Sequence, residues 1–239
     1  MKFDIPRNRI LPITKADLVV DPAPHPYEVA HREAIEANWA REMAEKPALF
    51  NGEVMFFSSI RWADGRLDAR CHVVRYATFM HWRRTRRDTS AEHLYAHAMP
   101  VSSDGALIAI RMAGHTVNAG RVYFAAGSLE PEDISGDRVD LASNMAREVR
   151  EETGLDLDAA RTEEAYHGWS SDSGTVLVRR YFLDQPAEEI VARIRAHVAA
   201  ESDPEIDEAI VIRGPNDLPS GLMAHMPPLI QWHFGQNRI

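Results

Sequence analysis

Apolar positions recur at four-residue intervals most clearly in "DLASNMAREVREET", residues 140–153 of the 239-residue chain. Leu141, Met145 and Val149 fall on one face of the helix this spacing predicts, with Asp140 placed to cap its start and Gly154 to end it. "YEVAHREAIEANWAREMAEK" carries Val29, Ile35, Trp39 and Met43 at roughly helical spacing and stops at Pro47. "VMFFSSIRW" and "RLDARCHVVRYA" read as two strands around a turn at Gly65, followed by a short basic helix, "TFMHWRRTRR", and a connector. From about Tyr95 the texture changes to "HAMPVSS", a turn at Asp104 and Gly105, "ALIAIRM", a glycine-containing loop, "RVYFAA" and a long acidic loop. After the helix at 140–153 come the strands "EEAYHGWSS" and "GTVLVRRYFL", a helix around "PAEEIVARIRAHVAAE", the strand "AIVIRG" and a last helix from about Pro227. Strands and helices interleave, so the class is mixed, α/β or α+β, with a boundary near residue 95.

Hydrophobic residues at 45% and charged residues at 26% suit a folded globular chain with an ample core. A formal net charge of -9 argues against broad electrostatic attraction to nucleic acid or to an anionic membrane. Cys71 is the single cysteine, which excludes an internal disulfide and a cysteine-rich zinc site and points to a reducing compartment. No apolar run approaches the roughly 18 residues of a membrane span, and "MKFDIPRNRI" has no apolar stretch behind its basic residues, so a cytoplasmic location is expected.

The polar side of the helix at 140–153 gathers Glu148, Glu151 and Glu152 on one face, at the end where the helix dipole disfavours acids. Pairing with Arg147 and Arg150 would make this an ordinary solvated face. Against that, each like-charge pair costs a few tenths of a kcal/mol and acids in the last turn a further ~0.3–1 kcal/mol. A divalent cation reverses both signs, because clustered carboxylates then become hard oxygen ligands, and Mg²⁺ or Mn²⁺ is the natural occupant.

"REVREETGL", residues 147–155, resembles the second half of the Nudix box, G-x5-E-x7-R-E-U-x-E-E-x-G-U with U aliphatic. Every specified position of that half is met, by Arg147, Glu148, Val149, Glu151, Glu152, Gly154 and Leu155. "AAGSLEPED" resembles the family's glycine turn, with Gly127 and then Asp133 where the family has Glu; thirteen residues instead of seven separate Asp133 from Arg147, an insertion of six around "ISGDRV". The resemblance covers about residues 95–235 and implies a Nudix α/β/α sandwich with a mixed sheet over 95–239, preceded by a small α/β extension over 1–94. It implies hydrolysis, with Mg²⁺ or Mn²⁺, of a nucleoside diphosphate linked to another moiety. In that reading Glu148, Glu151 and Glu152 hold metal, with Glu151 as ligand or as a partner behind the ligands, and Arg147 orients the glutamates. Glu208, immediately before a strand in "SDPEIDEAIVI", stands where a further catalytic carboxylate is often found, with Glu205 and Asp207 as alternatives; Arg111 and Gly127, in the strand and loop that flank the cleft, are the substrate-binding candidates. A homodimer is common in the family. The insertion and Asp133 also admit a second reading, a Nudix-like domain that binds a nucleotide without cleaving it.

"NWAREMAEKPALFNG" with "DARCHVVRYATF" resembles the N-terminal region of animal Nudix enzymes that hydrolyse UDP-glucose and UDP-galactose, which makes a nucleotide sugar the first choice over ADP-ribose, dinucleotides or coenzyme A. Trp39 and Phe50 read more simply as core, and Asn51-Gly52 as a hairpin turn. Arg83, Arg84, Arg86 and Arg87 read as a solvated face or a phosphate-facing surface. The eleven histidines include no H-E-x-x-H motif and read as structural or surface residues; His225 could line a pocket. "GWSSDSG" lacks the G-x-S-x-G elbow of a serine hydrolase.

Overall fold

In the computed structural model, which describes residues 2–47, 49–85 and 89–236, strands β1 (Phe3–Asp4), β2 (Ile10–Ile13) and β3 (Lys15–Val20) come first. Helices α1 (Pro26–Ala30) and α2 (Arg32–Glu45) follow, then β4 (Glu53–Ala63), β5 (Arg66–Arg75) and α3 (Tyr76–Thr85). Strands β6 (Leu94–Val101), β7 (Leu107–Met112), β8 (Val122–Tyr123), β9 (Ile134–Ser135) and β10 (Arg138–Val139) lead into α4 (Leu141–Thr153). The remaining elements are β11 (Arg161–Thr162), β12 (Tyr166–Ser171), β13 (Gly174–Phe182), α5 (Ala187–Ala200), β14 (Ile206–Ile212) and α6 (Met226–Gln236).

The class is the expected mixed α+β. One sheet runs β1-β4-β5-β3-β10-β9 and the other β14-β7-β6-β13-β12-β2, with β8 on β7 and β11 on β13. Both are mixed: β1/β4, β3/β5 and β6/β13 are parallel pairs and the rest antiparallel. Segments cross residue 95 in both directions, because β2 joins the sheet built mainly from later residues and β10 joins the sheet built mainly from earlier ones. No described helix is long and apolar enough to cross a membrane.

Strand alternation accounts for the packing of the first sheet. In β4, Val54 and Phe56 face α1–α3 and pack with Tyr27, Ile35, Phe79 and Trp82; Met55 and Phe57 face the other way, into the large core shared with the second sheet. The β4–β5 turn has φ of 49° at Asp64 and 80° at Gly65, the pair of positive values that a two-residue turn between twisted strands requires. Two sequence readings differ here. The helix over 27–46 breaks at His31, leaving Val29 56% exposed, and Phe50 is 84% exposed instead of core while Trp39 is half-buried.

Helix α4 is seated as its pattern predicts: Leu141, Met145 and Val149 are buried, which stabilises by ~1.5–3 kcal/mol per side chain, and the helix packs on β6 and α5. The Asp140 carboxylate accepts from the backbone N–H groups of Ala142 (3.0 Å) and Ser143 (3.1 Å), and Gly154 ends the helix at φ 67°. The six residues of "ISGDRV" form the hairpin β9–β10. Its Arg138 pairs with Val19 of β3, and across its base the Asp140 amide donates to the Asp133 carbonyl at 2.8 Å. These six residues are thereby looped out onto the first sheet, and Asp133 meets the start of α4 directly.

Candidate functional site

One turn of α4 places Glu148 and Glu152 on the same face, and both carboxylates are turned inward, at 7% and 6% exposure. Facing them is the loop after β8. The Ala126 amide donates to the Glu152 carboxylate at 2.9 Å, and a Cβ on Gly127 would lie 2.3 Å from both Glu148 oxygens. Only glycine leaves the Glu148 carboxylate where it is.

Arg147 gathers the acids around it. Its guanidinium lies 2.8 Å from Glu148, 3.1 Å from Glu151 and 3.2 Å from Asp133. Asp133 is buried, accepting also from the Glu130 amide at 2.8 Å and from the Asn144 side chain at 2.9 Å. Asp133 thus holds the arginine that holds Glu148 and Glu151. Burial opposes the Arg147 charge, but Glu148, Asp133 and Glu151 outweigh it and raise its pKa. Glu151 itself stays on the solvent side, with its side chain 58% exposed.

The two inward carboxylates are in an unfavourable state by themselves. Burial pushes Glu148 up to about 8 despite Arg147, with the charges of Glu151, Glu130 and Asp133 adding to the effect. Burial likewise raises Glu152, reinforced by Glu148 and Glu205. Hard oxygen donors crowded on one wall, where burial and neighbouring acids raise the cost of ionisation, suit a divalent cation. Among the described residues no three His, Cys, Asp or Glu side chains converge as a preformed cage. Glu148 and Glu152 are the residues that could hold a cation here, one that would take its remaining oxygens from water or a ligand.

Glu148, Glu152, Gly127 and Glu205 line a cavity of about 600 Å³. A second, more open space of about 1120 Å³ adjoins it, sharing Tyr76, Thr116, Val117, Ser128 and Glu205 as common walls, and carries the exposed Phe50 and Lys46. Clustered acids thus stand beside the junction of two compartments.

Not every residue singled out in the sequence reaches this place. Glu208 pairs instead with Arg111 at 2.9 Å, and neither lines either space. Arg111 is occupied with that carboxylate and with the carbonyls of Gly120 and Ser220. The cause lies in β14, where Ile206 pairs with Met112 and Glu208 with Arg111, so Asp207 is an extra residue that shifts the alternation. Glu205, on the other side of that bulge, is the acid brought to the cavity. Of the basic run, Arg83 lines the cavity and donates to Asn118, Arg84 lies 3.5 Å from Glu42, and Arg86 and Arg87 lie outside the described residues. Arg121 also lines the cavity. His93, just before β6, and Tyr95 and His97 within it line it too, at the alternate positions "H-x-Y-x-H"; that period of two was the signal available for them in the sequence. His225 is a fourth such residue.

No family model and no curated protein matches this chain. Solved structures that resemble it include a MutT protein from Methanosarcina mazei, at TM-score 0.41 and 15% identity over 62% of this chain and 96% of that one. The DR0079 protein from Deinococcus radiodurans gives 0.37 and 15%, covering 55% and 75%, and the ORF135 protein from E. coli gives 0.36 and 17%, covering 61% and 91%.

Proposed function

We propose that the chain is a Mg²⁺- or Mn²⁺-dependent Nudix pyrophosphohydrolase that cleaves the diphosphate of a nucleoside diphosphate linked to a second moiety, with a nucleotide sugar as the first candidate. The observation that carries this reading is the buried pair Glu148 and Glu152 on one face of α4, the first held by Arg147 and the second by the Ala126 amide, set beside the junction of two compartments. The acids explain a cation, and two adjoining spaces suit a diphosphate with a group at each end. The residues 147–155 supply the likeness to the Nudix box.

A cation held by Glu148 and Glu152 would neutralise diphosphate oxygens and offset the charge that builds on the leaving phosphate. The chain's own residues do the rest. Arg147 fixes Glu148 and Glu151 in place, Asp133 fixes Arg147, and the Ala126 amide orients Glu152. Glu205, exposed at the cavity rim, is the carboxylate assigned to accept a proton from the attacking water.

The test is a panel of UDP-sugars, ADP-ribose, dinucleotides and coenzyme A, each incubated with Mg²⁺ or Mn²⁺ and followed by identification of both products. Glu152→Gln is expected to lose metal-dependent turnover by a factor on the order of 10²–10³, as for other electrostatic groups at reaction centres, while keeping its fold. Unchanged turnover in that variant would overturn the mechanism. Binding of one panel member without any product would favour the sensor reading.

A further inference from the structure

Part of the wall of the 600 Å³ cavity is built of rings. From α3, Phe79 stacks with Trp82 at 6.3 Å and meets His93 at 4.5 Å. His93 lies nearly parallel to Tyr95, at 4.9 Å and 22°, and Tyr95 leads on to His225 at 5.6 Å, which sits 4.9 Å from His97. A continuous aromatic wall therefore runs from the N-terminal layer across β6 to the segment before α6. A hydrophobic core would fill such a space; here the rings enclose a void.

The polar atoms of this wall are specific. The Phe124 carbonyl can only accept, so at 2.8 Å it fixes the proton of His97 on Nδ1. Burial pushes the His97 pKa down to about 4, and the neutral ring keeps Nε2 as its acceptor. His225, 3% exposed, spends Nδ1 on the Tyr95 hydroxyl at 3.1 Å, and its Nε2 has no hydrogen-bond partner. Buried polar atoms left in this way are uncommon and call for a partner.

We propose that this aromatic wall is a subsite for the planar heterocyclic base of a nucleotide, stacked on the Phe79–His93–Tyr95 rings and read along its edge by His97 and His225. A base presents flat faces and a polar edge, and this wall answers them with stacked rings and two ring nitrogens. The proposal rests on the diphosphate lying at Glu148 and Glu152, and it assigns the nucleoside to the inner compartment and the second moiety to the outer one. It also gives α3, a helix of the N-terminal layer, a part in choosing the substrate.

Equilibrium binding in EDTA tests this apart from catalysis. Adenosine or uridine 5′-monophosphate should bind the unmutated protein at least about tenfold more tightly than ribose 5-phosphate, a factor within what one stacked base supplies. Phe79→Leu, which keeps an apolar side chain but removes the flat face, should lose most of that advantage, and Phe79→Tyr should keep it. Equal affinity for both nucleotides and ribose 5-phosphate in the unmutated protein would overturn the subsite, as would a Phe79→Leu variant that binds them undiminished. Base-selective binding by a protein that hydrolyses no diphosphate would leave the subsite standing and remove the catalytic reading. Hydrolysis of diphosphates lacking a base as fast as nucleotide ones would do the reverse.

Discussion

Replacing Glu148 with Gln should make the metal-free protein more stable, and the gain should depend on pH. The native carboxyl, raised from 4.5 to about 8 chiefly by burial, binds its proton more tightly than the unfolded chain does. For an acid raised in this way its contribution is complete below about pH 4.5 and is lost as pH rises through about 8, because the native state then holds the extra proton. At ~1.36 kcal/mol per pH unit between those limits, Glu148 costs the wild type roughly 2–4 kcal/mol at pH 8 and about 1 kcal/mol or less at pH 5. Glutamine keeps the shape without the titration. Urea denaturation in EDTA should therefore show Glu148→Gln ahead of wild type by that margin at pH 8, with the two curves converging near pH 5. Added Mg²⁺ should stabilise wild type, by ~2.7 kcal/mol at a hundred times its dissociation constant, and leave the variant almost unmoved. A gain of equal size at both pH values, or an equal response to Mg²⁺, would refute the reasoning.

Gly127→Ala should abolish turnover while costing little stability, since its Cβ displaces the Glu148 carboxylate instead of a core side chain; steady-state kinetics beside a thermal melt checks this. Glu205→Gln should lower kcat by a factor on the order of 10²–10⁴, and Glu208→Gln by little, because Glu208 is engaged by Arg111 away from the cavity; parallel rate measurements separate them. Asp140→Ala should destabilise by ~1 kcal/mol through loss of the cap on α4, lowering the melting temperature by about 2–4 °C in a chain of this size, as calorimetry would show.

What could be read from the sequence was what depends on neighbours along the chain. The apolar stripe, cap and stop of α4 lie within fifteen residues of each other, and the β4–β5 hairpin closes on its own turn. Strands β2 and β3 escape that kind of reading because their partners are distant: Ile13 pairs with Tyr166 and Val20 with Cys71. Glu208 drew the eye by its place before a strand, but the bulge at Asp207 depends on pairing with β7 and brings Glu205 to the cavity. Phe50 looked like core because aromatics usually are, yet it projects over the open compartment. The role of Asp133 was the hardest to see, because its contact with Arg147 exists only once the intervening hairpin folds away.

That hairpin ties the timing of folding to both halves of the chain. Arg138 donates to Asp17 at 2.7 Å across a separation of 121 positions, so the entrance to α4 is completed by a contact between distant parts of the chain. Contacts of that range form slowly, since the loop must close before they repay it. A chain emerging in order has β3 long before β10 arrives to meet it, whereas a fragment beginning at residue 95 would present β10 with no β3 beside it. An unpaired strand edge recruits whatever strand comes next, so such a fragment is expected to aggregate.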